Sequence, residues 1–186
     1  MGATFFVWKR GDIIVEEKER YVDVTKEWLK NANPNSHEVL DSYFYVSNNM
    51  IYIVDGSKKV VLDYSLKELE VANWIENTFG GEIYMNPRVN IPKRVKTADY
   101  WWNGEYWDLK ELKTAVSKKR AVDNLIKNCR GQSHNFIIDI TESDMLSQDI
   151  IVQIKKIFDK SNINRSWINK IIIKKNDEVF SIFVRK

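Results

Sequence analysis

The chain has one cysteine, two histidines and three prolines in 186 residues, and each scarcity removes a class of chemistry. With Cys129 alone, no internal disulfide can form, and neither a Cys₄ nor a Cys₂His₂ zinc site can be assembled. Such a chain suits a reducing compartment. The histidines, His37 and His134, stand far apart in sequence. There is no Gly-rich phosphate loop, no internal repeat and no low-complexity tract. The apolar cluster Phe5-Phe6-Val7-Trp8 is far too short for a signal h-region or a membrane span. No membrane partner is expected, and export would rely on a signal carried by another segment or chain.

What is present is core-forming material. Hydrophobic residues make up 44% and aromatic residues 12% of the chain, which argues against wholesale disorder. The length suits one domain with a small appendage. The net charge of +3 is mild, but it is unevenly placed. Residues 1–66 carry 8 Lys/Arg against 10 Asp/Glu, whereas residues 87–130 carry 11 against 5. A local positive excess of this kind fits a polyanionic partner.

That basic region surrounds a hairpin. Asn103-Gly104 lies between two aromatic-rich runs, and Asn-Gly suits a type I′ turn because both central residues need φ > 0. A two-residue loop pairs Trp102 with Glu105, Tyr100 with Trp107, Asp99 with Asp108 and Thr97 with Lys110. Side chains alternate along a strand, so Thr97, Asp99, Asp108 and Lys110 fall on one face. Two opposed carboxylates repel. A divalent cation between them, beside an ammonium, removes the conflict.

Residues 1–64 read as a β-rich N-terminal region. Strands are expected at 4–10, 12–16 and 21–24, a helical stretch at 25–30, and a hairpin of 39–46 with 50–54. Ser65-Leu66-Lys67-Glu68 is a capping box that starts a helix. Leu66, Leu69, Ala72, Ile75 and Phe79 mark its buried face, and Gly80-Gly81 ends it. A strand at 82–86, the hairpin, a helix over 117–131 closed by Gln132, a strand at 135–140, a helix from Ser147, and a hairpin over Asn176-Asp177 follow. The polar side of the 117–131 helix carries Lys118, Arg120, Asn124, Lys127 and Arg130. The fold class is α/β in the mixed α+β sense, a mixed central sheet flanked by helices, with 65–186 as its core.

In chain order the chemistry-bearing residues are Glu70, Thr97-Ala98-Asp99, Asp108-Leu109-Lys110 and Gln132. This pattern resembles a PD-(D/E)xK nuclease core, with Ala98 standing where proline is common. More closely, residues from about 60 to 186 resemble the C-terminal tRNase toxin domain of contact-dependent-inhibition (CdiA-type) proteins, a module also found in phage-associated proteins. That likeness rests on Val61-Leu62-Asp63-Tyr64-Ser65, Glu70-Val71-Ala72, Gly80-Gly81-Glu82, Thr97-Ala98-Asp99-Tyr100, Trp107-Asp108-Leu109-Lys110-Glu111 and Gln132.

The resemblance implies a restriction-endonuclease-like core and metal-dependent phosphodiester hydrolysis, on RNA more than DNA. Asp99, Asp108 and the Leu109 carbonyl would hold Mg²⁺ or Mn²⁺, with Glu70 acting through water. Lys110 would either orient the attacking water or stabilise the developing negative charge. Arg120, Lys127, Arg130 and Gln132 would contact phosphates. Trp101, Trp102, Tyr106 and Trp107 offer base-stacking surfaces, although half should point into the core. A toxin of this type would act in the cytoplasm and be neutralised by an acidic immunity protein. A second acid-x-lysine, Glu111-Leu112-Lys113, lies on the opposite face and ranks below Asp108-Leu109-Lys110 unless the register slips by one. The rival readings are a metal-independent RNase using His134, a non-catalytic nucleic-acid-binding module, and a nuclease fold that has lost activity.

Overall fold

A computed structural model describes residues 7–9, 12–14, 20–34, 38–113, 118–159 and 161–186. The N-terminal strands β1 (Val7–Lys9) and β2 (Asp12–Ile14) pair with each other antiparallel. His37 lies outside the described residues.

The frame is an eight-stranded mixed sheet. Its central strands are β11 (Glu105–Glu111), β12 (Asn135–Asp139) and β13 (Lys170–Lys175), which run parallel to one another. β14 (Glu178–Arg185) and β3 (Tyr21–Asp23) extend one side. β10 (Tyr100–Trp102), β8 (Ile83–Met85) and β4 (Val39–Asp41) extend the other. β12 is buried along its whole length, as a central parallel strand flanked on both faces must be.

Alternation splits the core in two. Phe136, Ile138, Ile171 and Ile173 pack with Ile150, Ile154 and Phe158 of helix α4 (Ser147–Phe158) and with Val122 and Ile126 of helix α3 (Ala121–Ile126). Ile137, Ile172, Trp107 and Leu109 face the other way, toward Val71, Ala72 and Ile75 of helix α2 (Leu66–Phe79). Trp28 of helix α1 (Thr25–Asn31) closes that side against Phe79, Trp102 and Trp107.

Three expectations need correction. The stretch 39–46 is not one strand: β4 joins the main sheet, and β5 (Phe44–Ser47) forms a separate hairpin with β6 (Met50–Ile53) over Asn48-Asn49, both at positive φ. Leu66, expected on the buried face of α2, is 88% exposed. The expected 117–131 helix shrinks to α3, preceded by a 3-10 turn at Lys118–Arg120. β3 and β4, from the stretch before residue 65, are edge strands of the main sheet, and β7 (Val60–Val61) pairs antiparallel with β9 (Arg88–Val89) apart from it.

Candidate functional site

The Asn103-Gly104 turn forms as its residue types require, with φ of 50° and 79°. The register is Tyr100↔Trp107, Trp101↔Tyr106 and Trp102↔Glu105. Trp102 and Trp107 are buried with ring centroids 5.2 Å apart, while Trp101 and Tyr106 meet at 4.8 Å on the other face. The turn sits hard against the end of α2. A Cβ on Gly81 would lie 2.7 Å from Asn103 Oδ1, so only glycine permits this approach.

Past Tyr100↔Trp107 the β10–β11 pairing stops, and the two strands fork. Asp99 stays with β8, its carbonyl accepting the Asn86 N–H at 2.9 Å. The Leu109 N–H thereby loses a ladder partner on β10. The Asp99 carboxylate replaces it, with Oδ2 accepting that N–H at 2.6 Å. This brings Asp99 beside Asp108, which is fully buried and within hydrogen-bonding reach of it. Gln132 Nε2 donates to Asp108 Oδ1 at 3.3 Å and to the Thr97 carbonyl at 3.2 Å. Lys110 Nζ is in ion-pair contact with Asp108 Oδ2 and donates to the Leu109 carbonyl at 3.0 Å. Lys110 is thus the cation that faces the buried Asp108 carboxylate.

The electrostatics follow from this crowding. Burial pushes the Asp99 carboxyl well above the usual carboxylate range, and the charge of Asp108 pushes it further, while the Leu109 amide and Lys110 offset only part. Burial likewise raises Asp108, against the pull of Lys110 and of its contact with Asp99. Burial alone would lower Lys110, but Asp108 outweighs it and the amine is held above its ordinary value. Lys110 is therefore an ammonium at neutral pH.

Glu70 is not part of this cluster. It is exposed and ion-paired with Lys67 at 2.8 Å; Lys67 also holds Asp139 at 3.0 Å. Among the described residues no three acidic, histidine or cysteine side chains converge as a metal cage. The helix carboxylate whose charge reaches both Asp99 and Asp108 is Glu68. Glu68 and Asp99 line a cavity of ≈10 Å³ together with Asn86, Arg88 and Thr97. Arg88 Nη2 lies 3.2 Å from Glu68 Oε1, and Tyr100 Oη donates to the Glu68 carbonyl at 2.8 Å. The sequence signal for Glu68 was its place in the capping box, which forms as expected and by itself accounted for the residue.

Gln132 lies in a turn rather than on a helix, and it binds Asp108. Lys127 is exposed, with Nζ 3.3 Å from Asn124 Oδ1. Arg130 is exposed next to it in the same turn, whose Asn128 and Arg130 carbonyls both accept from Lys96 Nζ. Lys96 belongs to the basic excess of residues 87–130, but nothing in that pattern singled it out from the other cations. Arg120 sits apart, at the other end of α3. His134 is exposed, its Nδ1 2.5 Å from the Trp167 carbonyl, and no contact joins it to the acid pair. Glu111 and Lys113 pair with each other at 3.0 Å, away from Asp108.

Mg²⁺ and Mn²⁺ take hard oxygen donors, and Mg²⁺ keeps several waters. Asp99, Asp108 and the Leu109 carbonyl fit that description. Two buried carboxyls lie close together, and their repulsion is what such an ion would relieve. Two carboxylates suffice for an ion that keeps part of its water shell.

Residues 96–179 match the family model described as the Contact-dependent growth inhibition CdiA C-terminal domain. The matched span contains Asp99, Asp108, Lys110 and Gln132. A solved structure of the CdiA-CT/CdiI toxin and immunity complex from Burkholderia pseudomallei contains a chain similar to this one at 18% identity, over 80% of this chain and 100% of that chain, with a TM-score of 0.49. No curated protein matches the chain. No helix among the described residues is long and apolar enough to cross a membrane.

Proposed function

We propose that this chain is a metal-dependent phosphodiesterase of the PD-(D/E)xK type, a toxin domain cleaving RNA, with tRNA the favoured substrate. The observation that carries the proposal is the convergence of Asp99, Asp108 and Lys110 at a strand fork, two buried carboxyls beside one ammonium. The family-model match over the same residues supports it.

In this reading Asp99, Asp108 and the Leu109 carbonyl hold one Mg²⁺ or Mn²⁺. Glu68 takes the role that the sequence suggested for Glu70, acting through water across the small cavity it shares with Asp99. A bound divalent cation supplies a water of lowered pKa and offsets negative charge on the transition state. Lys110 keeps its charge at neutral pH and stabilises the phosphate oxygens as negative charge develops. Gln132 holds Asp108 by donating to Oδ1, while Lys110 faces Oδ2. Lys127 and Arg130 stand exposed beside Gln132, where they would engage phosphates without reading sequence. Trp101, 38% exposed, is the tryptophan of the hairpin free to stack a base.

The domain would act in the cytoplasm of a target cell. An acidic immunity protein covering the basic face around Lys96, Lys127 and Arg130 would restrain it, since opposite potentials both steer and select partners. Incubation with total RNA and with plasmid DNA, with and without Mg²⁺, tests the function. Cleavage of RNA that EDTA abolishes is expected. Full activity in EDTA, or cleavage unchanged in Asp108→Ala, would overturn the assignment.

A further inference from the structure

A cavity lies at the end of α3 away from the acid pair. It measures ≈480 Å³ and opens between Lys119 and Arg120, the α4 residues Gln153 and Lys156, and the loop carrying Asn162 and Arg165. We propose that this cavity is a second phosphate-binding site, holding phosphodiester groups of the same nucleic-acid strand a few nucleotides from the scissile bond. The identity of that strand rests on the nuclease reading above.

Charge accounting favours an anion here. The two carboxylates in the lining are already occupied. Asp123 Oδ1 accepts from Arg165 Nε at 2.7 Å. Asp159 Oδ1 accepts from the Ser161 amide at 2.8 Å and from its hydroxyl at 2.6 Å. Lys119, Arg120 and Lys156 are exposed, and among the described residues none of them has an ion-pair partner. Asp159 keeps its negative charge, so the four cations of the lining, Lys119, Arg120, Lys156 and Arg165, exceed its two carboxylates by two. That arrangement is relieved by a bound polyanion.

The cavity is also a built one. The Gln153 side chain accepts the Val122 N–H at 3.1 Å and donates to the Lys118 carbonyl at 2.6 Å, which locks α4 to the start of α3. Asn162 Nδ2 donates to the Lys156 carbonyl at 3.2 Å, which fixes the loop. These bonds tie the wall together, and Lys119, Arg120 and Lys156 stand exposed along it.

The position suits one continuous strand. Arg120 and Lys127 bracket α3, and seven residues of helix span about 10 Å. At a rise of ~3.4 Å per nucleotide in a strand, that is about three nucleotides. Lys127, Arg130 and Gln132 hold the near end beside Asp108, and the cavity takes the far end.

The test uses the whole chain in EDTA, so that binding is read without cleavage. Anisotropy of a labelled single-stranded RNA long enough to pass both ends of α3, and of a labelled dinucleotide, is followed across salt concentrations. Lys119→Glu/Lys156→Glu should weaken the long RNA at least about fivefold. The slope of log affinity against log salt should shrink by about 1.4, two phosphates at ~0.7 each. Dinucleotide binding should not change. Lys119→Gln/Lys156→Gln, which alters no packing at these exposed positions, should show the same slope change.

Unchanged affinity and slope would overturn the proposal, and so would an equal loss for the dinucleotide, which would signal bulk charge rather than a distant contact. Cleavage in Asp108→Asn separates the two readings. A dead Asp108→Asn with an unchanged slope keeps the nuclease and removes the second site. A reduced slope with Asp108→Asn still active keeps the second site and removes the assigned catalysis.

Discussion

Asp99 shows how one side chain does two jobs at a fork. It replaces a lost ladder carbonyl for Leu109, and in doing so it brings its charge against Asp108. Because both carboxyls are pushed upward, the folded metal-free protein binds more protons than the unfolded chain at pH values above the ordinary carboxylate range. Its stability should therefore fall as pH rises through that window. Asp139 works in the opposite direction. Burial would raise it, but the Thr141 hydroxyl and amide and Lys67 together hold it low, so its contribution is present above the ordinary carboxylate range and lost as pH falls below it. Thermal melts in EDTA should show a metal-free Tm that is higher near pH 5 than near pH 8. Asn at Asp99 or Asp108 should raise the pH 8 Tm by a few degrees, at about 2–4 °C per kcal/mol for a chain of this size. Asp108→Ala should lower RNA cleavage by at least about 100-fold, the scale of losing one preorganised charge at a reacting centre. The register from Trp102↔Glu105 to Tyr100↔Trp107 was legible because Asn-Gly fixes the turn, but the expected ladder pairing of Asp99 with Asp108 does not form, since the strands fork one residue earlier. Glu68 was not legible, since a capping box gave it a sufficient local reason.

Among the elements, α2 and the β10–β11 hairpin set the site geometry together. Ser65 Oγ accepts the Glu68 N–H at 3.1 Å, and the Glu68 carboxylate returns to the Ser65 N–H. The same carboxylate stands over Asp99, so the cap that starts the helix also aims an acid. Ser65→Ala should cost about 1 kcal/mol, read as a drop in Tm. Gly104 is at φ 79° with open space around a would-be Cβ, so Gly104→Ala introduces backbone strain without a clash. It should destabilise by about 1 kcal/mol in chemical denaturation. Gly81→Ala meets Asn103 as well and should cost more than Gly104→Ala in the same titration. The α2, β8, β10–β11, β12, α4 and β13–β14 elements were readable from periodicity and caps. The helix expected over 117–131 was not, because charged residues with occasional apolar ones look the same in a helix, a 3-10 turn and a loop. Leu66 failed for a related reason: periodicity places a residue on a face but not on the part of that face the sheet covers.

Across the whole molecule, the sheet carries charge on one flank and apolar mass within. Lys96, Lys127 and Arg130 border the acid pair, and Lys119, Arg120 and Lys156 extend the positive surface along α3. The uneven charge of residues 87–130 was visible in sequence, but its continuation onto α4 and the loop after it required the fold. The same holds for β3 and β4, whose membership of the sheet edges no local pattern announced. In the proposed function two buried carboxyls share one cation, and Mn²⁺ titration with electron paramagnetic detection tests that without relying on cleavage. At pH 8 the wild-type chain should bind one Mn²⁺, and Asp99→Asn or Asp108→Asn should each abolish that binding while keeping the fold. Mn²⁺ binding that is absent in the wild type, or that survives unchanged in both variants, would contradict the account.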